Sequence, residues 1–409
     1  MRIFYIAHFD CAGAGGHAAH VRGCLDELAR QGHEVWLFAS GRKRRAESGV
    51  RFIPIPQIRR PGLYTVSFGL LCWLPFLWTV IRRRPRVAYS RFFYPMPPLA
   101  LLARLLRVPL VVEVNADLAH ERRVHRHSPR RQSFENGLEG WIYRRAEGIV
   151  VVAPAIADSI RARFGDLSGK IVTIPNGVDT ILFHPQDAAE CRRRLGLATE
   201  GHYVTFAGAF QRWQGLRTLV QAAEYVLRFV PNTVFLLAGD GPERESIETS
   251  IAQLGLQRHF VLAGWRTPQE SSDYIGASDV CVAPYGSLAA SSASQDKETM
   301  PLMSRSPMKN LSYLACGRPV ITSSFREAGG FVQSIDAGLS VPPEDAAALG
   351  SAIVTLLQDP ARARRMGRNG RRAVEERFSW AEIIRQIVVY LDRIAPRRGT
   401  SGQRDAAVS

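Results

Sequence analysis

The stretch RSPMKNLSYLACGRPVITSS, residues Arg305–Ser324, decides the expected fold of this chain. It predicts a loop, a helix with small residues along one face, a Gly-Arg-Pro turn and then a buried strand. Lys309 lies near the start of the helix, where unpaired backbone N–H groups and the helix dipole favour an anion. A lysine at this place indicates a phosphate site.

Apolar runs alternate with helical patterns on both sides of this stretch, which is typical of parallel α/β layers. We therefore predict an α/β fold with two doubly wound, Rossmann-like domains, which bind ligands outside the carboxyl ends of their strands. The predicted strands are Ile3–Ala7, Glu34–Ala39, Val50–Ile55, Val87–Ser90, Leu110–Val114 and Gly148–Val152, then one that begins at Tyr203, Thr233–Ala238, Phe260–Ala263, Val280–Ala283 and Pro319–Ser323.

The chain of 409 residues is longer than one ordinary core, so two domains are expected. We predict a first domain over residues 1–185, a hinge over 186–201 and a second domain over 202–377. A last helix is expected over residues 378–395, and the polar tail over 396–409 is predicted to be disordered.

The net charge of +16 implies an anionic partner such as a phosphate or an acidic lipid. Nucleic acid fits less well, because no interleaving of basic and aromatic residues accompanies the charge. The six cysteines form no CxxC pair, which favours a reduced, cytosolic protein without structural zinc. Met1 leads directly into the apolar strand RIFYIAHF, so we assign no cleavable leader.

The segment LYTVSFGLLCWLPFLWTVI, Leu63–Ile81, is nearly long enough to cross a membrane, and Arg82–Arg84 follow it. Pro75 interrupts its middle. A membrane span, a buried helix and a helix lying in the membrane interface all remain open. We favour the interfacial helix, with the arginines on anionic headgroups.

The stretch quoted first resembles the SPxKxxEYxAxGxPV segment of retaining glycosyltransferases of family 4, which have the GT-B fold. The resemblance covers nearly the whole chain, from the Gly-rich turn AGAGGH at Ala12–His17 to Phe378-Ser-Trp380. It implies that this segment holds a nucleotide-sugar donor and that the last helix crosses back to the first domain. The chain departs from the pattern at Ser312, where the family has a glutamate that grips the ribose hydroxyls.

The resemblance also covers the segment GAFQRWQG, Gly208–Gly215, where the family usually has Gly-Arg followed by Lys-Gly. Ala209 and Gln214 stand at the arginine and lysine positions. A subgroup with Gly-Ser-Phe-Arg-Pro-Trp-His-Gly matches better, with Arg212 one residue beyond its arginine. Arg212 either donates two hydrogen bonds to the donor diphosphate or is a surface charge.

Several further donor contacts follow from the resemblance. Glu298, in the insert GSLAASSASQDKETMPLM at Gly286–Met303, is a candidate replacement for the glutamate missing at Ser312. Trp265 lies where relatives hold the base, and either stacks on it or packs in the core. Gly15 and Gly16 of the Gly-rich turn allow close backbone approach to a phosphate or acceptor.

The segment VVEVNADLAHERR, Val111–Arg123, resembles the acidic-Asn segment of the subgroup's first domain. Glu113 and Asn115 lie at the ligand-facing end of a strand. Many relatives have a sugar-contacting histidine near the Asn115 position, and His120 either takes that role or is structural. We predict that the basic run over 120–132 is an exposed loop, either solvated or gripping a lipid phosphate, and that NGVD at Asn176–Asp179 is a structural turn.

The function implied by the resemblance is sugar transfer from a nucleotide-diphosphate sugar to a membrane-linked glycan or lipid acceptor, at the inner face of the cytoplasmic membrane. Asn115, His120 and Lys309 are the candidate catalytic residues. No metal is expected, because Lys309, Arg212 and helix dipoles would stabilise the departing diphosphate. The uncharged residues at Ala209, Gln214 and Ser312 leave one alternative, a weakened homologue acting as a scaffold subunit of a polysaccharide machine. A GT-B epimerase is a further alternative, because it would share the fold and the donor.

Overall fold

The computed structural model describes all residues except 14–15, 42–48, 59, 61–62, 125–126, 166, 168, 287–307 and 396–409. The chain divides into two compact units, the first formed by Met1–Pro175 with the segment from Trp380 onward, the second by Asn176–Ser379. The predicted hinge over 186–201 is not a boundary. Its helix Ala188–Arg194 belongs to the second unit, where Arg192 pairs with Asp279 at 3.0 Å and Arg194 with Asp273 at 2.6 Å.

The first unit has a parallel sheet that, within the described residues, contains seven strands in the order β3-β2-β1-β4-β5-β6-β7. The strands are β1 (Arg2–Asp10), β2 (Glu34–Ser40), β3 (Val50–Pro54), β4 (Val87–Arg91), β5 (Leu110–Val114), β6 (Gly148–Val151) and β7 (Ile171–Thr173). The helices are α1 (Gly16–Arg30), α2 (Tyr64–Arg83), α3 (Pro97–Leu105), α4 (Leu118–Val124), α5 (Pro129–Arg145) and α6 (Pro154–Phe164).

The second unit repeats this plan with six described strands, all parallel, in the order β10-β9-β8-β11-β12-β13. They are β8 (His202–Ala207), β9 (Thr233–Ala238), β10 (Phe260–Gly264), β11 (Val280–Ala283), β12 (Val320–Ser323) and β13 (Gly338–Val341). The helices are α7 (Ala188–Arg194), α8 (Leu216–Phe229), α9 (Arg244–Gln253), α10 (Pro268–Gly276), α11 (Met308–Ala315), α12 (Phe331–Ser334), α13 (Ala346–Gln358) and α14 (Pro360–Arg377).

The last helix, α15 (Trp380–Ile394), returns to the first unit and confirms the predicted crossover. It buries Trp380, Ile383 and Ile387 in the cluster that also contains Val21 and Leu25 of α1. The Trp380 ring packs against Gly23 of α1. A Cβ on that glycine would come within 2.2 Å of the indole. The small residue on α1 therefore lets the last helix pack closely.

Each sheet has one point where the order of its strands reverses: between β1 and β4 in the first unit, and between β8 and β11 in the second. Doubly wound sheets bind ligands outside the carboxyl ends of the strands at such a point. The two reversal points therefore define where functional side chains should gather in each unit.

Candidate active site

Lys309 lies at the reversal point of the second unit. Its helix, α11, is held against the end of β8 by Tyr313, whose hydroxyl donates to the carbonyl of Ala207 at 3.1 Å and accepts from its N–H at 2.8 Å. The Lys309 ammonium then reaches Gly208, the residue after β8, where a Cβ would stand only 3.3 Å from Nζ. Gly208 has φ +154°, so glycine here provides both the turn and the space.

Aromatic rings and an amide surround the Lys309 ammonium. Nζ lies 4.1 Å from the ring centre of Phe206 and 5.0 Å from that of Tyr285, and it donates to Oε1 of Gln214. Tyr285, just beyond β11, is stacked on Trp213 at 6.1 Å. Desolvation lowers the pKa of Lys309 well below its ordinary value. A partly dehydrated ammonium with only neutral partners among these contacts is suited to an incoming anion.

Gln214, at the position where the family has a lysine, makes a contact of its own. Its side chain is 4% exposed and accepts the hydrogen bond from Lys309. A lysine at this position would place two ammonium groups side by side, which is unfavourable in a buried site. Ala209 and Arg212 are both exposed, and Arg212 begins the 3-10 turn Arg212–Gln214. The structure thus brings Gln214 to Lys309 and leaves Arg212 on the surface of the same turn.

Ser312 and Trp265 are two further predicted donor contacts that the structure describes. The Ser312 hydroxyl donates to the carbonyl of Met308 at 3.4 Å, within its own helix. Trp265 follows β10 and is 55% exposed, so packing in the core is the wrong alternative for this ring. Glu298 and Gly15 lie outside the described residues.

Glu113 is the centre of a buried network in the first unit. Its side chain, on β5, is 2% exposed. One carboxylate oxygen accepts from His20 Nε2 at 2.7 Å and from Asn115 Nδ2 at 2.5 Å, and the other accepts from the Tyr89 hydroxyl at 2.7 Å. Burial opposes ionisation, but His20 beside the carboxylate and the hydrogen bonds to it hold the pKa of Glu113 well below its usual range.

The network orients Asn115, which follows β5 and is half-buried. Because the Nδ2 group donates to Glu113, the amide oxygen Oδ1 is the atom turned away from that carboxylate. His20, Cys24 and Glu113 also form a group whose possible metal-ligating atoms lie within 4.8 Å of one another. The 2.7 Å contact between His20 and Glu113 is a hydrogen-bond distance.

The basic run over 120–132 is not an exposed loop, so that prediction was wrong. Its first residues belong to α4 and its last to α5, and His120 is buried on α4. Arg122 is 4% exposed and pairs with buried Glu139 at 2.9 Å, while Arg131 pairs with Glu135 at 2.8 Å. Two arginines of this run are therefore paired with acids of α5, and the Arg122 pair is buried.

Two predicted positions remain, Gly16 and the NGVD segment. Gly16, within the Gly-rich segment Ala12–His17, is the first residue of α1. In NGVD, the Asp179 carboxylate accepts from the backbone N–H groups of Ile181 and Leu182, both at 2.9 Å. These bonds stabilise a tight turn in the way that aspartate commonly does.

Comparison with known sequences also divides the chain into two parts, between residues 182 and 187. The family model described as "Glycosyltransferase Family 4" matches residues 14–182, and the model described as "Glycosyl transferases group 1" matches residues 187–373. The chain belongs to glycosyltransferase family 4.

Two named proteins are similar to this glycosyltransferase. The glycogen synthase of Mycobacterium tuberculosis is 24% identical over 440 residues, covering 98% of this chain and 96% of that protein. The GDP-mannose-dependent alpha-(1-6)-phosphatidylinositol monomannoside mannosyltransferase of Mycolicibacterium smegmatis is 28% identical over 242 residues, covering 58% of this chain and 61% of that protein.

The glycosyltransferase also resembles the crystal structure of Anabaena HepE in complex with UDP. The TM-score is 0.71 at 18% identity, with 96% of this chain and all of that chain covered (100%). A likeness at this identity establishes the fold, which is GT-B with two Rossmann-like units.

Sequence reasoning missed several residues of the glycosyltransferase that lie at the reversal points. Arg91 ends β4 and is 6% exposed, with its guanidinium 3.3 Å from His17 Nδ1 and 5.3 Å from the Phe9 ring centre. Phe206 and Tyr285 enclose Lys309. Arg91, Phe206 and Tyr285 all lie at or just after the carboxyl ends of predicted strands, and this position was the sequence signal that could have identified them.

Helix α2 of the glycosyltransferase has two apolar faces. One face, with Phe68, Cys72 and Phe76, is buried in the core of the first unit. The other exposes Val66, Leu70, Leu71, Trp73, Leu74, Trp78 and Ile81. By length and composition alone α2 is long and apolar enough to cross a membrane. A helix with this exposed face is not a plain buried helix, so that alternative was wrong.

Proposed function

We propose that this glycosyltransferase transfers a sugar from a nucleotide-diphosphate sugar, with retention of anomeric configuration, to a membrane-associated glycan or lipid acceptor. The observation that carries the proposal is the Lys309 ammonium, enclosed by Phe206, Tyr285 and Gln214 at the reversal point of the second sheet. UDP bound to HepE and the GDP-mannose named for the mycolicibacterial relative support a nucleotide-sugar donor.

In the proposed reaction, Lys309 binds the donor diphosphate and stabilises the charge that develops on it. The bond between the sugar C1 and the diphosphate oxygen breaks, and a bond from C1 to the acceptor hydroxyl oxygen forms on the same face. The hydroxyl proton passes to the departing diphosphate. Arg212, exposed on the neighbouring turn, adds a second cation, and the exposed Trp265 ring stacks on the base.

In the first unit, Asn115 is the proposed contact to the acceptor. Its Nδ2 group is engaged by Glu113, so Oδ1 faces the acceptor and accepts a hydrogen bond from a sugar hydroxyl. Glu113 is a positioning residue in this scheme, and buried His120 supports the same region. Ser312 contacts the ribose in this scheme, and Glu298 is the candidate replacement for the glutamate that the chain lacks there. No metal takes part, because the cationic side chains carry the diphosphate charge.

The proposed location is the inner face of the cytoplasmic membrane, through the exposed face of α2. Trp78 lies under the Arg82 guanidinium at 4.3 Å, and Arg82 and Arg83 end the helix. Apolar side chains beside arginines are suited to the boundary between acyl chains and anionic headgroups. The phosphatidylinositol-linked acceptor named for the mycolicibacterial relative is consistent with a lipid acceptor.

Donor use is tested by calorimetric titration of the full chain with UDP-, GDP- and ADP-sugars, followed by NMR analysis of the transferred sugar. We expect one nucleotide class to bind and an α-linked donor to give an α-linked product. An inverted product would refute the retaining mechanism. A folded protein that binds none of these donors would leave the scaffold alternative.

Membrane attachment is tested by flotation with phosphatidylcholine vesicles that contain or lack phosphatidylglycerol. The double variant Trp78→Ser/Ile81→Ser should lose vesicle binding, whereas Phe229→Ser/Ile181→Ser removes equally exposed apolar side chains elsewhere and should retain it. High salt should release the wild type, because each basic residue contributes only about 1 kcal/mol. Release by detergent alone would instead indicate a membrane span.

A further inference from the structure

Helix α14 in the second unit has a line of exposed arginines that neither the fold nor the donor site uses. Arg364, Arg368 and Arg372 are spaced four residues apart, so they lie on one face of the helix and about 6 Å apart along its axis. All three side chains are exposed, while Ala363, Met366 and Ala373 face the core. We call these three residues the α14 arginine line.

The α14 arginine line lacks acidic partners in the part of the chain that the structure describes. The ion pairs of α14 involve two other arginines of the helix. Arg365 pairs with Asp336 at 3.6 Å, and Arg371 pairs with Glu375 at 2.7 Å.

The α14 arginine line opposes the stability of its own helix. Like charges four residues apart repel each other. The ends of the helix, by contrast, follow the usual rules, because Asp359 caps its N-terminus and Arg377 lies in its last turn. Local rules are usually broken, as by this repulsion, where a function requires it. An anion bound along the arginine line would remove the repulsion.

We propose that the α14 arginine line binds the anionic headgroups of a phospholipid surface, as a second membrane contact on the unit that binds the donor. The large exposed apolar side chains of the described residues include none from α14, so the contact is electrostatic and does not insert into the membrane. The absence of an exposed aromatic ring on this face also disfavours single-stranded nucleic acid, which binds by base stacking.

This second contact rests on the proposed membrane attachment through α2. The two contacts can be tested separately, because α2 belongs to the first unit and α14 to the second.

The test compares two triple variants of the full chain on vesicles with and without phosphatidylglycerol. R364Q/R368Q/R372Q should weaken binding to the anionic vesicles by about 10- to 100-fold, given the contribution of each basic residue near such a surface. The control R217Q/R228Q/R258Q removes the same charge from exposed positions elsewhere on the unit and should change binding by less than about 3-fold. R364K/R368K/R372K should bind as wild type, because headgroup attraction depends on charge.

Equal binding by the two glutamine variants would overturn the proposal, as would a larger loss of affinity for a single-stranded oligonucleotide than for vesicles. If Trp78→Ser/Ile81→Ser loses vesicle binding while R364Q/R368Q/R372Q binds as wild type, the α14 contact is refuted and attachment through α2 stands. Nucleotide titration of the same variants separates both results from donor binding, which the arginine line should not affect. The glutamine variant should unfold at a temperature no lower than wild type, because it relieves repulsion.

Discussion

Replacement of Lys309 by methionine tests the donor site most directly. Methionine keeps the length of the side chain and its packing against Phe206 and Tyr285, but removes the charge. A charge-assisted hydrogen bond to a phosphate oxygen is worth about 1.5–3 kcal/mol, so the Kd for the nucleotide diphosphate should rise about 10- to 150-fold. Isothermal titration calorimetry of wild type and variant measures this change.

The stability of the Lys309→Met variant should change little, because two effects oppose each other. Gln214 loses its buried partner, which costs about 1–3 kcal/mol, while the cost of burying an ammonium disappears. A net change of about 1 kcal/mol would shift the midpoint of thermal unfolding by about 2–4 °C. Equal nucleotide affinity of the two proteins, with intact folding, would remove Lys309 from the donor site.

The protonation of Lys309 gives a second, independent readout of the same contact. Desolvation lowers the pKa of the free ammonium, and a bound diphosphate raises it again. Nucleotide binding should therefore take up protons, and it should weaken as the pH rises through the pKa that Lys309 has in the free protein. Titrations in buffers with different ionisation enthalpies measure the uptake, which should be absent from Lys309→Met.

Three further changes test other parts of the site. Arg212→Ala should weaken nucleotide binding, but by less than Lys309→Met does. The control Arg217→Ala, which removes an exposed arginine paired with Glu243, should leave nucleotide binding unchanged. Equal effects of Arg212→Ala and Arg217→Ala would make Arg212 a surface charge. Glu113→Gln should lower the free energy of unfolding by about 3–5 kcal/mol, measured by urea denaturation, because it leaves buried partners unpaired. The folded pKa of Glu113 lies below its ordinary 4.5, so in wild type its contribution is complete above that pH and is lost as the pH falls. Ser312→Glu should tighten donor binding by about 10-fold or more through new bonds to the ribose hydroxyls, and weaker binding with normal transfer would indicate a specialised pocket.

The fold was largely predictable because long apolar strands and helical periodicity leave few alternatives. The predicted strands omitted β7 and β13, which are short and only partly buried. The equally short β11 and β12 were predicted, because all of their residues are apolar enough to be buried or are flanked by such residues. The boundary between the units was placed too late, because the sequence does not show that α7 packs on α10 through Arg192 and Arg194.

The site was predictable where one segment carried the signal. Lys309 was found from its place at a helix start, but its partners Phe206, Gln214 and Tyr285 come from separate segments that only the sheet brings together. The basic run over 120–132 was misjudged for a similar reason. Charge is visible in a sequence, whereas its neutralisation by Glu139 on the next helix is a property of packing.

The return of α15 to the first unit makes the second unit an insertion within the first. The chain leaves the first unit after Pro175 and returns to it at Trp380, after 204 residues. On the ribosome, the first sheet is therefore synthesised long before the helix that covers α1, so that unit is completed last, although its strands are made first. A chain that stops before Trp380 would contain a complete second unit and a first unit with exposed Val21 and Leu25, a surface that favours aggregation and chaperone binding.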